Sequence, residues 1–332
     1  MKSGLASFVV AILASACLTI PATPTLPSAG FALPSHVRVQ FVEQGRVTVR
    51  NVPLEEYVQA AALSEFAPPS GEVALIEQML EVQAIIGRTY AVSHLRRHAA
   101  EGFDLCSSTH CQLYEPGRLT TSRWAPAAAE AVDRTAGVVL SFGGRAADAL
   151  FHADCGGHTT DPTSVWGGES RPYLLSHADA GGGLDADTHA KWEYTTTFDA
   201  VRRALDGDAR TRLDGQLTAI DVTQRDSSGR AERVAIRGRL AGARPGVARL
   251  LATVVRGEDL RQALTRAFGA RSIRSTWFDV RQDRDAMTFA GRGFGHGVGL
   301  CQAGALARLK AGATPAEVFR SYYPKTILAR AR

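Results

Sequence analysis

The chain has 332 residues, 45% of them hydrophobic and 21% charged, with 38 Lys+Arg against 33 Asp+Glu and a formal net charge of +5. That length holds one large domain or two small ones, and the composition is that of an ordinary globular protein. The mild basicity is spread out, with no Lys/Arg run interleaved with aromatics, which excludes a nucleic-acid partner.

Lys2 precedes the apolar run Leu5–Ala14, and the small residues Ser15 and Ala16 follow. A basic start, a short apolar core and small residues at its end describe a signal peptide, too short to remain as a membrane span. Residues 1–29 are therefore expected to be signal peptide and spacer, and the mature chain to be exported without a transmembrane span. Cys17 directly follows Ala16, so two outcomes stand: simple cleavage, or lipidation of Cys17.

His36–Val42 and Arg46–Arg50 alternate apolar and polar residues and predict a hairpin turning at Gln44-Gly45. Asn51-Val52-Pro53 predicts a helix start with Asn51 as cap, and Pro68-Pro69 forbids continuation beyond it. Leu54, Val58 and Ala61 form an apolar stripe that Glu65 extends. A second helix is expected over 72–99, with Leu75, Met79, Val82, Ile86 and Tyr90 on one face. Strands follow at 137–142 and 146–153, turning at Gly143-Gly144. Residues 179–187 are Gly/Asp/Ala-rich and read as a mobile loop. Beyond them come a hairpin (217–223 with 233–237), a helix (257–268), strands at 275–280 and 286–290, a helix at 302–311, and a capping-box helix opened by Thr314-Pro315-Ala316-Glu317. The order predicts an α+β fold, mixed helices and antiparallel strands around a cleft, with residues 192–290 as a smaller β-rich lobe.

Several residues could carry chemistry. Glu65 continues a buried stripe at a helix end, where desolvation would raise its pKa and suit it to general acid work; the plain alternative is a solvated helix end. Arg88 sits among apolar residues, either paired with an internal carboxylate such as Glu77 or Glu81, or facing a cleft. His98, Cys106, His110 and Cys111 are close enough in sequence for structural zinc, and a Cys106–Cys111 disulfide competes with that reading. His152 and Cys155 lie in Phe151-His152-Ala153-Asp154-Cys155-Gly156-Gly157-His158, for which a structural thiol is favoured over a nucleophile. Gly291, Gly293, Gly295, Gly297 and Gly299 fall on every second position around His296. This is neither a dinucleotide nor a phosphate loop, but a segment that brings backbone close to a neighbour.

These blocks together resemble the family of stage II sporulation protein D and the amidase enhancers. The resemblance rests on Asn51-Val52-Pro53-Leu54-Glu55-Glu56-Tyr57, the Glu65 segment, Gln83-Ala84-Ile85-Ile86-Gly87-Arg88-Thr89-Tyr90-Ala91, Thr109-His110-Cys111-Gln112-Leu113-Tyr114, and His152 through Thr159. Val165-Trp166, the glycine loop with Gln302-Ala303-Gly304-Ala305, and Tyr322-Tyr323-Pro324 complete it, and it spans residues 35–332. It implies a peptidoglycan-active protein, similar to lytic transglycosylases that cut peptide-free glycan strands. Glu65 would be the acid/base, and Arg88, His152, Lys191 and His296 would contact substrate. No catalytic cofactor is implied, but structural zinc near Thr109-His110-Cys111 is. The amidase-enhancer branch implies an alternative, a wall-binding stimulator of a cell-wall amidase. The Glu65–Arg88 interval is longer here than is usual in the family, and Glu65-Phe66-Ala67-Pro68-Pro69 stands where the family commonly has Glu-Met-Pro.

Overall fold

A computed structural model of the chain describes residues 26–43, 45–68, 72–179, 191–240 and 250–332. The expected signal peptide, Cys17 and most of the 179–187 loop lie outside the described residues. Asp179 is described and is buried.

The first lobe opens with the hairpin β1 (His36–Glu43) and β2 (Arg46–Pro53), followed by α1 (Leu54–Glu65) and α2 (Val73–Ser93). Next come β3 (Leu105–Cys106), α3 (Arg118–Thr121), α4 (Ala125–Arg134), β4 (Val138–Phe142), β5 (Arg145–Ala146), β6 (Phe151–His152) and α5 (Pro162–Trp166). The second lobe contains β7 (Lys191–Thr197), α6 (Phe198–Asp206), β8 (Gln216–Arg225), β9 (Ala231–Arg239), β10 (Leu250–Arg256), α7 (Gly257–Phe268), β11 (Phe278–Gln282) and β12 (Ala286–Arg292). The chain then returns to the first lobe through β13 (Leu300–Cys301), α8 (Gln302–Lys310), α9 (Pro315–Tyr322) and β14 (Ile327–Arg330), which pairs antiparallel with β4. The class is α+β, as expected.

Asn51 does not cap α1. It extends β2 and pairs with Arg38 of β1, so the helix starts after Pro53 with no side-chain cap. Strand pairing satisfies the Asn51 backbone before a helix can recruit it. Helix α2 is buried nearly all round from Ile76 to Ala91, wider than a single apolar stripe. It ends at Ser93, not near 99, and Arg96 adopts a positive φ of 64° just beyond. Among the described residues the three largest apolar clusters divide the core between them. One wraps α2, α4, α8 and α9, one joins β1, β2 and α1 to α2, and one fills the second lobe between α6, α7 and its sheets.

The glycine loop ties the lobes together. Phe294 bridges Asp154, Val298 bridges Thr160, and β13 runs parallel to β6, with Leu300 opposite Phe151 and Cys301 opposite His152. Gly293, Gly295, Gly297 and Gly299 all have positive φ. A methyl on Gly299 would overlap the Leu150 carbonyl, and one on Gly295 would lie 2.8 Å from His152 Cβ. The neighbour that these two glycines approach is thus the protein's own 150–152 segment. Gly299→Ala should lower stability by roughly 2–4 kcal/mol from backbone strain plus overlap. A denaturant midpoint equal to that of the unaltered chain would contradict this packing.

Candidate active site

Glu65 closes α1. The preceding stripe packs Leu54, Tyr57, Val58, Ala61 and Ala62 into the core, and Phe66 leaves the helix in extended geometry. One loop clamps this end from one side. The Leu113 N–H donates to Glu65 Oε1 at 2.6 Å, and the Glu115 N–H donates to Ser64 Oγ at 3.0 Å. From the other side, Gln302 Nε2 donates to the Glu65 carbonyl at 3.3 Å, which brings the start of α8 to the same place. Burial pushes the Glu65 carboxyl from 4.5 up to about 7, and the Leu113 N–H only partly opposes that shift. Desolvation wins because one N–H cannot replace the water lost around a carboxylate. With Oε1 held by Leu113, Oε2 is the oxygen that carries the proton.

The four residues singled out as a metal set do converge. One ligand atom from each of His98, Cys106, His110 and Cys111 lies within 4.8 Å of all the others. His98 Nε2 is 3.4 Å from Cys111 Sγ, and His110 Nδ1 is 3.8 Å from both sulfurs. On its far side, His98 Nδ1 meets Glu101 at 3.0 Å, the carboxylate-to-imidazole arrangement that orients a metal-binding histidine. Hydrogen bonds from Cys111 and Ser108 depress the Cys106 thiol. A Cys2His2 donor set with one sulfur inclined to ionise fits tetrahedral zinc. The loop that carries Cys111 continues through Gln112, which accepts from the Tyr57 hydroxyl at 3.0 Å, to Leu113, which holds Glu65.

Arg88 does not face a cleft. Its side chain is fully buried and bidentate to Glu55, with Nε–Oε1 at 2.9 Å and Nη2–Oε2 at 2.6 Å. Nη1 donates to the Val138 carbonyl and Nη2 to that of Val132. Its partner is neither Glu77 nor Glu81. Glu81 pairs instead with Arg134.

His152, expected on substrate, is also enclosed at 5% exposure. Its Nδ1 donates to the Val298 carbonyl at 3.1 Å, and burial holds its pKa well below 6.5. His296 is half-buried. Its Nδ1 accepts the Val298 N–H at 3.0 Å, the Phe151 backbone is a second partner, and burial lowers its pKa to about 4. Both imidazoles are neutral at pH 7 and fasten the glycine loop to β6. Their rings stand 5.5 Å apart.

Lys191 begins β7, exposed and opposite Arg292 at the start of the glycine loop. The residue missed by the sequence reading of the site is Trp166. It is 40% exposed and lies 5.1 Å from the His296 ring, at the end of a helix capped by Asp161. An exposed Trp after an Asp-Pro helix start was the available signal. Asp154 is buried and holds the Gly156 N–H, and Glu169 is exposed beside Arg171. A cavity of ≈ 590 Å³ lined by Arg202, Asp206, Arg212 and Leu213 lies in the second lobe, away from every predicted site residue.

Residues 42–142 match the family described as "Stage II sporulation protein". That segment is similar to the stage II sporulation protein domain. Glu65, Arg88 and the whole Cys/His set fall inside it. Residues 183–299, with Lys191 and His296, match a family described only as a domain of unknown function. The similarity extends beyond the domain. Stage II sporulation protein D of Bacillus subtilis (strain 168) is 26% identical over 304 residues, covering 90% of this chain and 80% of that protein. Stage II sporulation protein D of Bacillus amyloliquefaciens is 25% identical over 300 residues, covering 87% and 78%. The Amidase enhancer of Bacillus subtilis is 26% identical over 283 residues, covering 76% of this chain but only 38% of that protein. The matched segment thus contains both the raised carboxyl and the Cys/His set.

Proposed function

We propose that this chain is an exported lytic transglycosylase that cleaves peptide-free peptidoglycan glycan strands with Glu65 as its single acid/base. The observation that carries the reading is the Glu65 carboxyl, held by Leu113 and raised to about 7. A carboxyl poised there is half protonated at neutral pH and can act in both directions. It first donates its proton to the glycosidic oxygen leaving C1 of N-acetylmuramic acid. It then removes the proton of the 6-hydroxyl of that sugar, which closes a 1,6-anhydro ring and restores the acid. Hydrolysis would require a second carboxylate for water or for a covalent sugar. Trp166 beside His296 would supply an apolar face for a sugar ring, and Lys191 a cationic contact at the edge.

In this reading zinc at His98, Cys106, His110 and Cys111 is structural. When bound it cross-links the loop whose Leu113 N–H is aimed at Glu65. Chelation should therefore lower the thermal midpoint, with activity lost in step with folding. Activity lost at a temperature where the chelated chain is still folded would instead make the metal catalytic.

The second reading is a non-catalytic stimulator of a cell-wall amidase, favoured by the Amidase enhancer similarity and by the enclosure of Arg88 and His152. The two readings separate in one experiment. Purified chain alone should release soluble fragments from peptide-free glycan strands. Release only when an amidase and stem peptides are present, unchanged in Glu65→Gln, would support the enhancer and overturn the enzyme.

A further inference from the structure

We propose that His152, Cys155 and Cys301 form a second metal site, separate from the His98 set, that takes one thiophilic ion, Zn²⁺ or Cu⁺. The inference does not rest on the transglycosylase reading. A ring nitrogen of His152 and the two sulfurs lie within 4.8 Å of one another, and all three residues are buried, both cysteines completely. They come from two segments that the parallel β6–β13 pairing places side by side, with Cys301 opposite His152.

Three further observations point to an ion. His152 spends its Nδ1–H on the Val298 carbonyl, and its Nε2 is buried with no hydrogen-bond partner. An orphaned acceptor of that kind costs about 1–3 kcal/mol. A ring N–H on a backbone carbonyl with the opposite nitrogen bare is also how protein imidazoles are oriented toward metals.

Second, both sulfurs receive backbone N–H donors. Cys301 Sγ accepts from Cys155 at 3.2 Å and from Gly304 at 3.3 Å, and Cys155 Sγ accepts from Gly157 at 3.3 Å. Gly156 and Gly157 reach this turn at φ of 73° and 105°. Cys301 is also the N-cap of α8, where its sulfur takes the place of a capping oxygen for the Gly304 N–H.

Third, the Arg230 guanidinium is fully buried. It donates to the Cys155 carbonyl at 2.5 Å, while its Nε and Nη1 have no partners. An enclosed cation with unfilled donors fits a neighbour that carries net negative charge, as two metal-bound thiolates do.

A disulfide between Cys155 and Cys301 would use both sulfurs but would leave His152 Nε2 and Arg230 as they are, whereas the ion satisfies both and displaces the proton that Cys155 Sγ donates to Asp179 Oδ2 at 3.3 Å. Binding would release the two thiol protons to solvent. Soft thiolate ligands select zinc or copper(I), and three ligands leave zinc one open position.

The test uses the full mature chain with Cys106→Ser and Cys111→Ser, which silences the other set. It is purified under reduction and titrated in separate arms with Zn²⁺, with Cu⁺, and with Co²⁺ as the spectroscopic probe. About one ion per chain and a thiolate-to-cobalt absorption are expected, and adding Cys301→Ser should abolish both. If these variants fold poorly, differential alkylation of the unaltered chain decides. Under native conditions Cys155 and Cys301 should be alkylated more slowly in the ion-loaded chain than after a chelator has removed the ion, and both should react once the chain is unfolded. A folded, cobalt-loaded sample with no thiolate absorption, native alkylation at the same rate with and without the ion, or a mapped Cys155–Cys301 disulfide would overturn the site.

Discussion

Glu65→Gln is expected to lower the rate of glycan release by about 10²–10⁴-fold, the usual contribution of a positioned proton donor. The substitution is close to isosteric. Its amide oxygen can still accept the Leu113 N–H that the carboxylate accepts at 2.6 Å, so the loop over α1 stays in place. What is lost is the proton. Glycan binding should survive within a few-fold, and kcat should fall with little change in KM. A raised KM with kcat unchanged would make Glu65 a binding residue. In the unaltered chain the acid form predominates below about 7 and is lost as pH rises through that value, so activity should decline on the alkaline side with a midpoint near 7. The same shift sets the sign of a stability effect. The folded state holds the Glu65 proton more tightly than the unfolded state does. The associated stability is complete below 4.5 and is lost as pH rises through about 7. Glu65→Gln should therefore melt higher than the unaltered chain at pH 8, and the difference should shrink toward pH 4.5. Thermal scans across that range check it, and a variant that melts lower at pH 8 would contradict burial as the cause.

Arg88→Ala is expected to cost roughly 3–5 kcal/mol, because it leaves a cavity and strands the carbonyls of Val132 and Val138 inside the first lobe. Glu55→Gln should cost less, about 2–3 kcal/mol. The Arg88 guanidinium keeps its carbonyl partners, and Glu55 itself is 41% exposed, so water screens part of the pair. Denaturant unfolding without glycan measures both. A substrate-binding arginine would give the opposite pattern, with stability unchanged and KM raised. That result would overturn the assignment of Arg88 to the fold.

What was legible in the sequence was local. Helix α7 falls on its predicted bounds of 257 and 268, and Thr314 forms the predicted capping box with Glu317, because caps and helical spacing act over a few residues. Glu65 was legible as the next position on an apolar stripe. The partner of Arg88 was not, since Glu55 lies 33 residues away and is joined to it only by the packing of α1 on α2. Neither was the enclosure of His152, which depends on a glycine loop 146 residues later. The alternating glycines signalled close approach correctly, but a sequence cannot say whether the approaching surface is a ligand or another part of the same chain. The four Cys and His positions could be read as a set from their spacing, whereas the convergence of Cys155 with Cys301 required the parallel pairing of two short strands.

The mass of the products that the unaltered chain releases from peptide-free glycan strands tests the central claim most directly. A single recycled carboxyl must leave muramic ends lighter by one water than hydrolysis would, as 1,6-anhydro rings. Chains ending in ordinary reducing muramic acid would show that water attacks and that a second acid has been overlooked.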